Sequence, residues 1–324
     1  MARPIAFEFA MTPPTFDDVR RARERIATWT HHTPVLTSAT FDAMSGARLF
    51  FKCENLQKAG AFKSRGAVNA VFGLSDAEAA HGVATHSSGN HGMALARAAA
   101  CRGIEATVVM PDTAPRAKIE AVRGYGGHIV FCEPRNAARQ DTLDAVVADS
   151  GANVVPPYDD ARVIAGQGSC AAELLEDVAD LDIVIAPIGG GGLISGTVLS
   201  CRALSPATRV IAAEPANADD ARRSLDAGRR LIEDAPDTIA DGLKASLGEL
   251  TWQFVSREVD DILLAEEDEI VAAMRLIWQR MKLVVEPSCA VPLATILRHA
   301  EVFAGRRVGV ILTGGNVDLD RLPW

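Results

Sequence analysis

The chain is predicted to be an α/β protein of two lobes, each a mostly parallel, twisted sheet flanked by helices. Three observations carry this. Between residues 83 and 131, strand-like and helix-like runs alternate, the pattern of a parallel sheet wrapped by helices. Ile183-Val184-Ile185-Ala186 is apolar at every position, as expected of a strand buried on both faces. Three strand-like runs end in turns of small residues: Ser87-Ser88-Gly89-Asn90-His91-Gly92, Gly189-Gly190-Gly191-Gly192 and Thr313-Gly314-Gly315-Asn316.

Taken in order, residues 1–12 read as a loose arm. Residues 15–29 read as a helix, opened by Thr15-Phe16-Asp17-Asp18, with Val19, Ala22, Ile26 and Ala27 on one side. His31-His32-Thr33-Pro34 ends it. Residues 48–52 form a short strand leading to Lys63, and 64–74 a helix. A strand at 83–85 feeds the first small-residue turn and the alanine-rich helix 93–101. Strand 106–110, stopped by Pro111, helix 117–125 and strand 128–131 follow. Beyond Pro156-Pro157-Tyr158 come helix 169–176, strand 183–186, helix 193–204 and strand 209–214, and the last strand is 308–312. No repeat or low-complexity tract interrupts the chain. The lobes exchange the chain, residues 80–160 forming a small domain inserted into a large one of 1–79 and 161–324.

Composition narrows the function classes. A net charge of −9 disfavours a nucleic-acid or anionic-membrane surface. No apolar stretch approaches the ~20 residues of a membrane span, and the first residues lack the basic region and apolar run expected of a secretory leader. Six scattered cysteines lack any C-x-x-C pair, which argues against a disulfide framework or zinc cluster and for a reducing cytosol.

Lys63 is the leading candidate for chemistry. A lysine at a helix mouth meets the positive end of the macrodipole, and burial against Phe62 disfavours its charge further, leaving the free amine a Schiff-base lysine needs. The bland alternative is a solvated surface lysine. Gly189 to Gly192 lie between a strand and a helix, where bare backbone N–H groups suit a phosphate. A Walker loop is excluded because Gly-Lys-Ser/Thr is missing, and a dinucleotide fingerprint fails at Ile194. A tight turn with no ligand stays open. The Ser87–Gly92 turn has N–H groups for a carboxylate, or is an ordinary helix cap. A hydroxyl at Thr313 facing a heterocyclic nitrogen would leave that nitrogen largely unprotonated.

Together, Lys63 after Phe62, the Ser-Gly-Asn-His turn, the four-glycine loop and Thr313-Gly314-Gly315-Asn316 resemble the pyridoxal-phosphate enzymes of fold type II, the tryptophan-synthase β fold. Within them the chain is similar to the serine racemase and serine/threonine dehydratase family, which includes 3-hydroxyaspartate dehydratases. The likeness runs from about Thr33 to Asp318 and takes in Val163-Ile164-Ala165-Gly166-Gln167-Gly168, Ala213-Glu214-Pro215, Ile239-Ala240-Asp241-Gly242 and Met281-Lys282-Leu283-Val284-Val285-Glu286-Pro287.

The resemblance implies that Lys63 forms the Schiff base with pyridoxal 5′-phosphate and acts as the Cα base. Gly189, Gly190, Gly191 and Gly192 would hold the phosphate, Asn90 the ring hydroxyl and Thr313 the ring nitrogen, with Phe62 and Gly242 also lining the cofactor. Ser88 would carry a proton on the face opposite Lys63. Ser87, Ser88, Asn90 and His91 would hold the substrate carboxylate, and Arg139 a second one. Glu214, Asp220 and the carbonyl of Ala218 would hold a divalent cation, Mg²⁺, Ca²⁺ or Mn²⁺, unless they are only a solvated acidic loop.

Implied too are a small amino-acid substrate, a homodimer, and dehydration of a β-hydroxy amino acid to a 2-oxo acid and ammonia. Threonine or serine is expected first and 3-hydroxyaspartate next, with serine or aspartate racemisation as the alternative. Three departures stand out: Ala245 replaces a hydroxyl residue common in the racemases, Met93 replaces a glutamine of nucleotide-activated ones, and Ser288-Cys289-Ala290 is an unusual variant. No regulatory domain is expected beyond Trp324.

Overall fold

In the computed structural model, which describes residues 12–324 apart from 88 and 115, ten strands alternate with helices. In chain order they are β1 (Val35–Thr37), β2 (Arg48–Cys53), β3 (Val83–His86), β4 (Ala106–Pro111), β5 (His128–Cys132), β6 (Asn153–Val154), β7 (Ile183–Pro187), β8 (Arg209–Pro215), β9 (Asp261–Ala265) and β10 (Arg307–Leu312). They form a six-stranded sheet in the order β1-β2-β10-β7-β8-β9 and a four-stranded sheet in the order β5-β4-β3-β6. Every pairing is parallel except that of β1 with β2. The α/β architecture expected from the alternation is the one observed. Most of the expected loose arm lies outside the described residues.

The apolar runs become the central strands because both faces are covered. All five residues of β7 are buried, as are the last five of β10. Three helices stack beside the sheets: Lys63–Phe72 packs between Ala161–Asp177 and Asn90–Arg102. The Ala161–Asp177 helix is much longer than the 169–176 segment the sequence predicts. Asp160 caps it, its side chain accepting from the N–H groups of Arg162 and Val163. Gly166 and Gly168, which lower helix propensity, hid its first turns. They are there for packing, since a Cβ on Gly166 would fall 2.6 Å from the Cα of Gly66 on the neighbouring helix. Among the described residues no helix is long and apolar enough to cross a membrane, and all six cysteines are free.

Candidate active site

Parallel strands leave their carboxyl ends free to carry ligand-binding turns. The turn after β3 leads into the Asn90–Arg102 helix, the four glycines after β7 into the Gly192–Leu204 helix, and β10 is followed by Thr313. Lys63 is tied to this end of the sheet: Ala61 bridges Gly314, and the Phe62 N–H donates to the Thr313 carbonyl at 3.0 Å. A cleft of about 1020 Å³ results. Its lining brings together Phe62, Lys63, Ser87, Asn90, His91, Arg139, Gly189, Gly190, Gly191, Gly192, Gly242 and Thr313, residues far apart in the chain. Ser88 lies outside the described residues.

The glycine loop is a cradle without room for side chains. A Cβ on Gly190 would lie 2.3 Å from the Tyr158 ring, and Gly191 has φ +87°, which strains any other residue. Thr251 pins the loop, its hydroxyl donating to the Gly190 carbonyl at 2.8 Å. Bare N–H groups at the start of a thirteen-residue helix therefore face the cleft.

Lys63 is the first residue of its helix. Its amine donates to the Pro157 carbonyl at 2.6 Å and lies 5.1 Å from the centre of the Phe62 ring. Among the described residues no carboxylate bonds it directly. Burial pushes its pKa down to about 8, with Glu286 acting in the opposite direction. Glu286 in turn is pushed up to about 8 by burial and then by Asp241. A buried amine and a buried carboxyl thus shift towards each other from opposite sides, both chiefly by burial.

His91 is buried, and its Nε2 is 2.9 Å from the Val155 carbonyl. A carbonyl only accepts, so Nε2 carries the hydrogen and Nδ1 presents a lone pair, which has no partner. Burial, then the nearby Lys63, pushes the imidazole pKa down to about 3. The neutral ring therefore has no free donor for a carboxylate; the backbone N–H in the first turn of its helix is what His91 can offer. Arg139 reaches the cleft beside His86, whose pKa burial and Arg139 lower, and the buried Arg139 Nε has no hydrogen-bond partner.

Glu214, Ala218 and Asp220 gather at the end of β8, outside the cleft lining, and all three are buried. The Glu214 carboxylate accepts from the N–H groups of Ala221 and Arg222, both at 2.9 Å. Burial pushes its pKa up to about 8 and raises that of Asp220, whose Oδ2 is buried without a hydrogen-bond partner. Two desolvated carboxylates with an orphaned oxygen are a donor set short of positive charge. Among the described residues no group of three or more His, Cys, Asp or Glu side chains is arranged to hold a metal; the third donor here would be a backbone carbonyl.

The sequence assigns no role to Glu286, Asn316, His86 or Lys118, yet Glu286, His86 and Lys118 line the cleft. Lys118 bonds Asp241, joining the Arg116–Gly124 helix of the four-stranded side to the turn before Gly242. Glu286 carried one signal, an ionisable residue closing the apolar run Leu283-Val284-Val285.

Comparison with known proteins shows the family. The family described as pyridoxal-phosphate dependent enzyme matches residues 26–314. The beta-hydroxyaspartate dehydratase of Paracoccus denitrificans is 59% identical over 311 residues, covering 96% of this chain and 99% of its own. The L-threo-3-hydroxyaspartate ammonia-lyase of Saccharomyces cerevisiae is 44% identical, covering 96% of each chain. The solved maize serine racemase superposes with a TM-score of 0.93 at 45% identity, covering 95% of each chain. The chain belongs to the pyridoxal-phosphate dependent enzymes. Its residues fit the cofactor: the glycine cradle admits a group only backbone can approach closely, and the desolvated Lys63 amine opens on the same cleft.

Proposed function

We propose that this enzyme is a dehydratase (ammonia-lyase) that converts a β-hydroxy amino acid to a 2-oxo acid and ammonia, with 3-hydroxyaspartate ahead of threonine and serine. The observation that carries the preference is Arg139, which lines the cleft and whose guanidinium has no partner at its buried Nε, suiting it to a second substrate carboxylate. Two relatives whose names state action on hydroxyaspartates support the same order.

When bound, pyridoxal phosphate supplies the electron sink for a carbanion at Cα. The chain does the rest. Gly189, Gly190, Gly191 and Gly192 hold the phosphate through backbone N–H groups. Asn90 holds the ring hydroxyl and Thr313 the ring nitrogen, with Phe62 and Gly242 closing the walls. Ser87 and the first turn of the Asn90–Arg102 helix, His91 included, hold the α-carboxylate through backbone N–H groups. Lys63, with a pKa near 8, has an appreciable neutral fraction at physiological pH and takes the Cα proton as general base. Loss of the β-hydroxyl and then hydrolysis release the 2-oxo acid and ammonia.

Racemisation is the second reading, favoured by the likeness to serine racemase. It needs a proton carrier opposite Lys63, the role proposed for Ser88. Glu214, Asp220 and the Ala218 carbonyl are proposed to hold Mg²⁺, Ca²⁺ or Mn²⁺; the orphaned Asp220 Oδ2 supports this. The two-domain division at 80–160, a homodimer and a reducing cytosolic location complete the reading, and the six free thiols support the last. A panel of threonine, serine and the 3-hydroxyaspartate stereoisomers, with simultaneous 2-oxo acid and chiral amino-acid detection, tests it. Hydroxyaspartate should give the highest kcat/KM for 2-oxo acid release. Inversion without 2-oxo acid would replace dehydratase by racemase.

A further inference from the structure

Glu286 is the N-cap residue of the Pro287–Arg298 helix, yet its side chain makes no capping bond. It turns into the cleft instead, where it is 4% exposed and its Oε1 accepts from Asn90 Nδ2 at 2.8 Å. The loop after β10 makes room for it: a Cβ on Gly314 would lie 2.7 Å from Oε1. Asn90 is held from its other end as well. Asn316 Nδ2 donates to Asn90 Oδ1 at 2.9 Å and to the Ala59 carbonyl at 2.8 Å.

These contacts leave the Asn90 carboxamide one orientation. Its oxygen faces a donor and its nitrogen faces an acceptor; a flipped amide would set N–H against N–H and oxygen against oxygen. One Asn90 hydrogen is used by Glu286 and the second is left over. Glu286 accepts whether its carboxyl is charged or neutral, so the lock does not depend on its protonation.

We propose that Glu286 is a positioning residue which, with Asn316, locks the Asn90 carboxamide so that its second N–H points at the ring hydroxyl of the bound cofactor. The inference rests on the reading that Asn90 holds that hydroxyl. The lock spans three distant segments, residues 90, 286 and 316, and joins the turn after β3 to the end of the six-stranded sheet.

The experiment uses the holoenzyme and reads cofactor affinity and the pH dependence of the bound cofactor's absorption, alongside kinetics. Glu286→Met removes the acceptor at similar length, while Glu286→Gln keeps a carbonyl that accepts. Glu286→Met should weaken cofactor binding about tenfold, the effect of roughly one lost hydrogen bond. It should also displace the absorption titration and lower kcat with little change in KM. Glu286→Gln should restore most of each. Asn90→Ala should reproduce the Met variant, and the double variant should add little more. Asn316→Ala should move the same readouts in the same direction, and serves if Glu286→Met fails to fold.

An absorption titration unmoved in both Glu286→Met and Asn316→Ala would overturn the inference, as would losses that multiply in the double variant. Failure of the underlying reading is separate: Asn90→Ala alone would then leave cofactor affinity and the absorption titration at their wild-type values.

Discussion

Lys63 and Arg65 are two residues apart on one helix, which places them about 200° apart around its axis, and they meet opposite treatment. Arg65 is fully buried and paired at every turn. It bonds Glu54 twice at 2.8 Å, Glu173 at 2.7 and 2.8 Å, and the Ser169 hydroxyl at 3.1 Å. Lys52, also fully buried, adds Glu173 at 2.9 Å and the Thr33 carbonyl at 2.8 Å. On the cleft side the polar groups are left short. Among the described residues, Lys63 has one carbonyl, Arg139 Nε and His91 Nδ1 have nothing, and Glu286 is held by amides with no cation bonded to it. Buried charge that is matched stabilises the fold; buried charge left unmatched moves pKa values and waits for a ligand.

The contrast breaks most visibly at Arg65. Arg65→Ala leaves Glu54 buried without a cation and Glu173 with Lys52 in place of two, and should cost about 3–5 kcal/mol, read by urea denaturation. A loss within the ordinary surface range would mean that the cluster is not a structural centre. Lys63→Met should do the reverse, lowering kcat at least ~10²-fold while leaving the fold intact and the melting temperature of the cofactor-stripped protein unchanged or raised.

Titration sharpens the comparison. In the cofactor-stripped protein the folded state holds Glu286's proton up to about pH 8, whereas the unfolded state releases it near 4.5. The folded state therefore binds more protons in between, so this group's contribution to stability falls as pH rises from about 4.5 to 8. Lys63 has the opposite sign: its folded pKa of about 8 lies below 10.5, so its contribution rises with pH across that upper window. Glu286→Gln should flatten the first limb and Lys63→Met the second, measured as melting temperature against pH. The smallest effect is expected at the end of β8. Mg²⁺ or Ca²⁺ at tenfold over Kd should stabilise by about 1.4 kcal/mol, and chelator or Glu214→Gln should remove the gain. Identical melting with and without chelator would remove the cation from the account.

The parts of this site that were legible in the sequence are local ones. A strand running into glycines and then a helix shows its purpose in consecutive residues, so the loops after β3, β7 and β10 and the lysine beside Phe62 could be read directly. Glu286 could not, because its partner Asn90 is 196 residues away and only the fold brings them together. The same holds for Lys118 with Asp241. Among the elements, β1 is a three-residue edge strand too short to show alternation. The Pro287–Arg298 helix was hidden by proline at its first position and again at Pro292. In the Asn136–Ser150 helix the apolar residues do not gather on one face, so no 3.6-residue period stood out.

Borohydride reduction of the purified holoenzyme followed by peptide mapping tests the central claim most directly, because it asks which buried amine the chemistry uses. The reduced cofactor should be found on Lys63 alone. Label on Lys52, Lys118 or Lys244, or no label at all, would contradict the assignment of the unmatched side of this helix to catalysis.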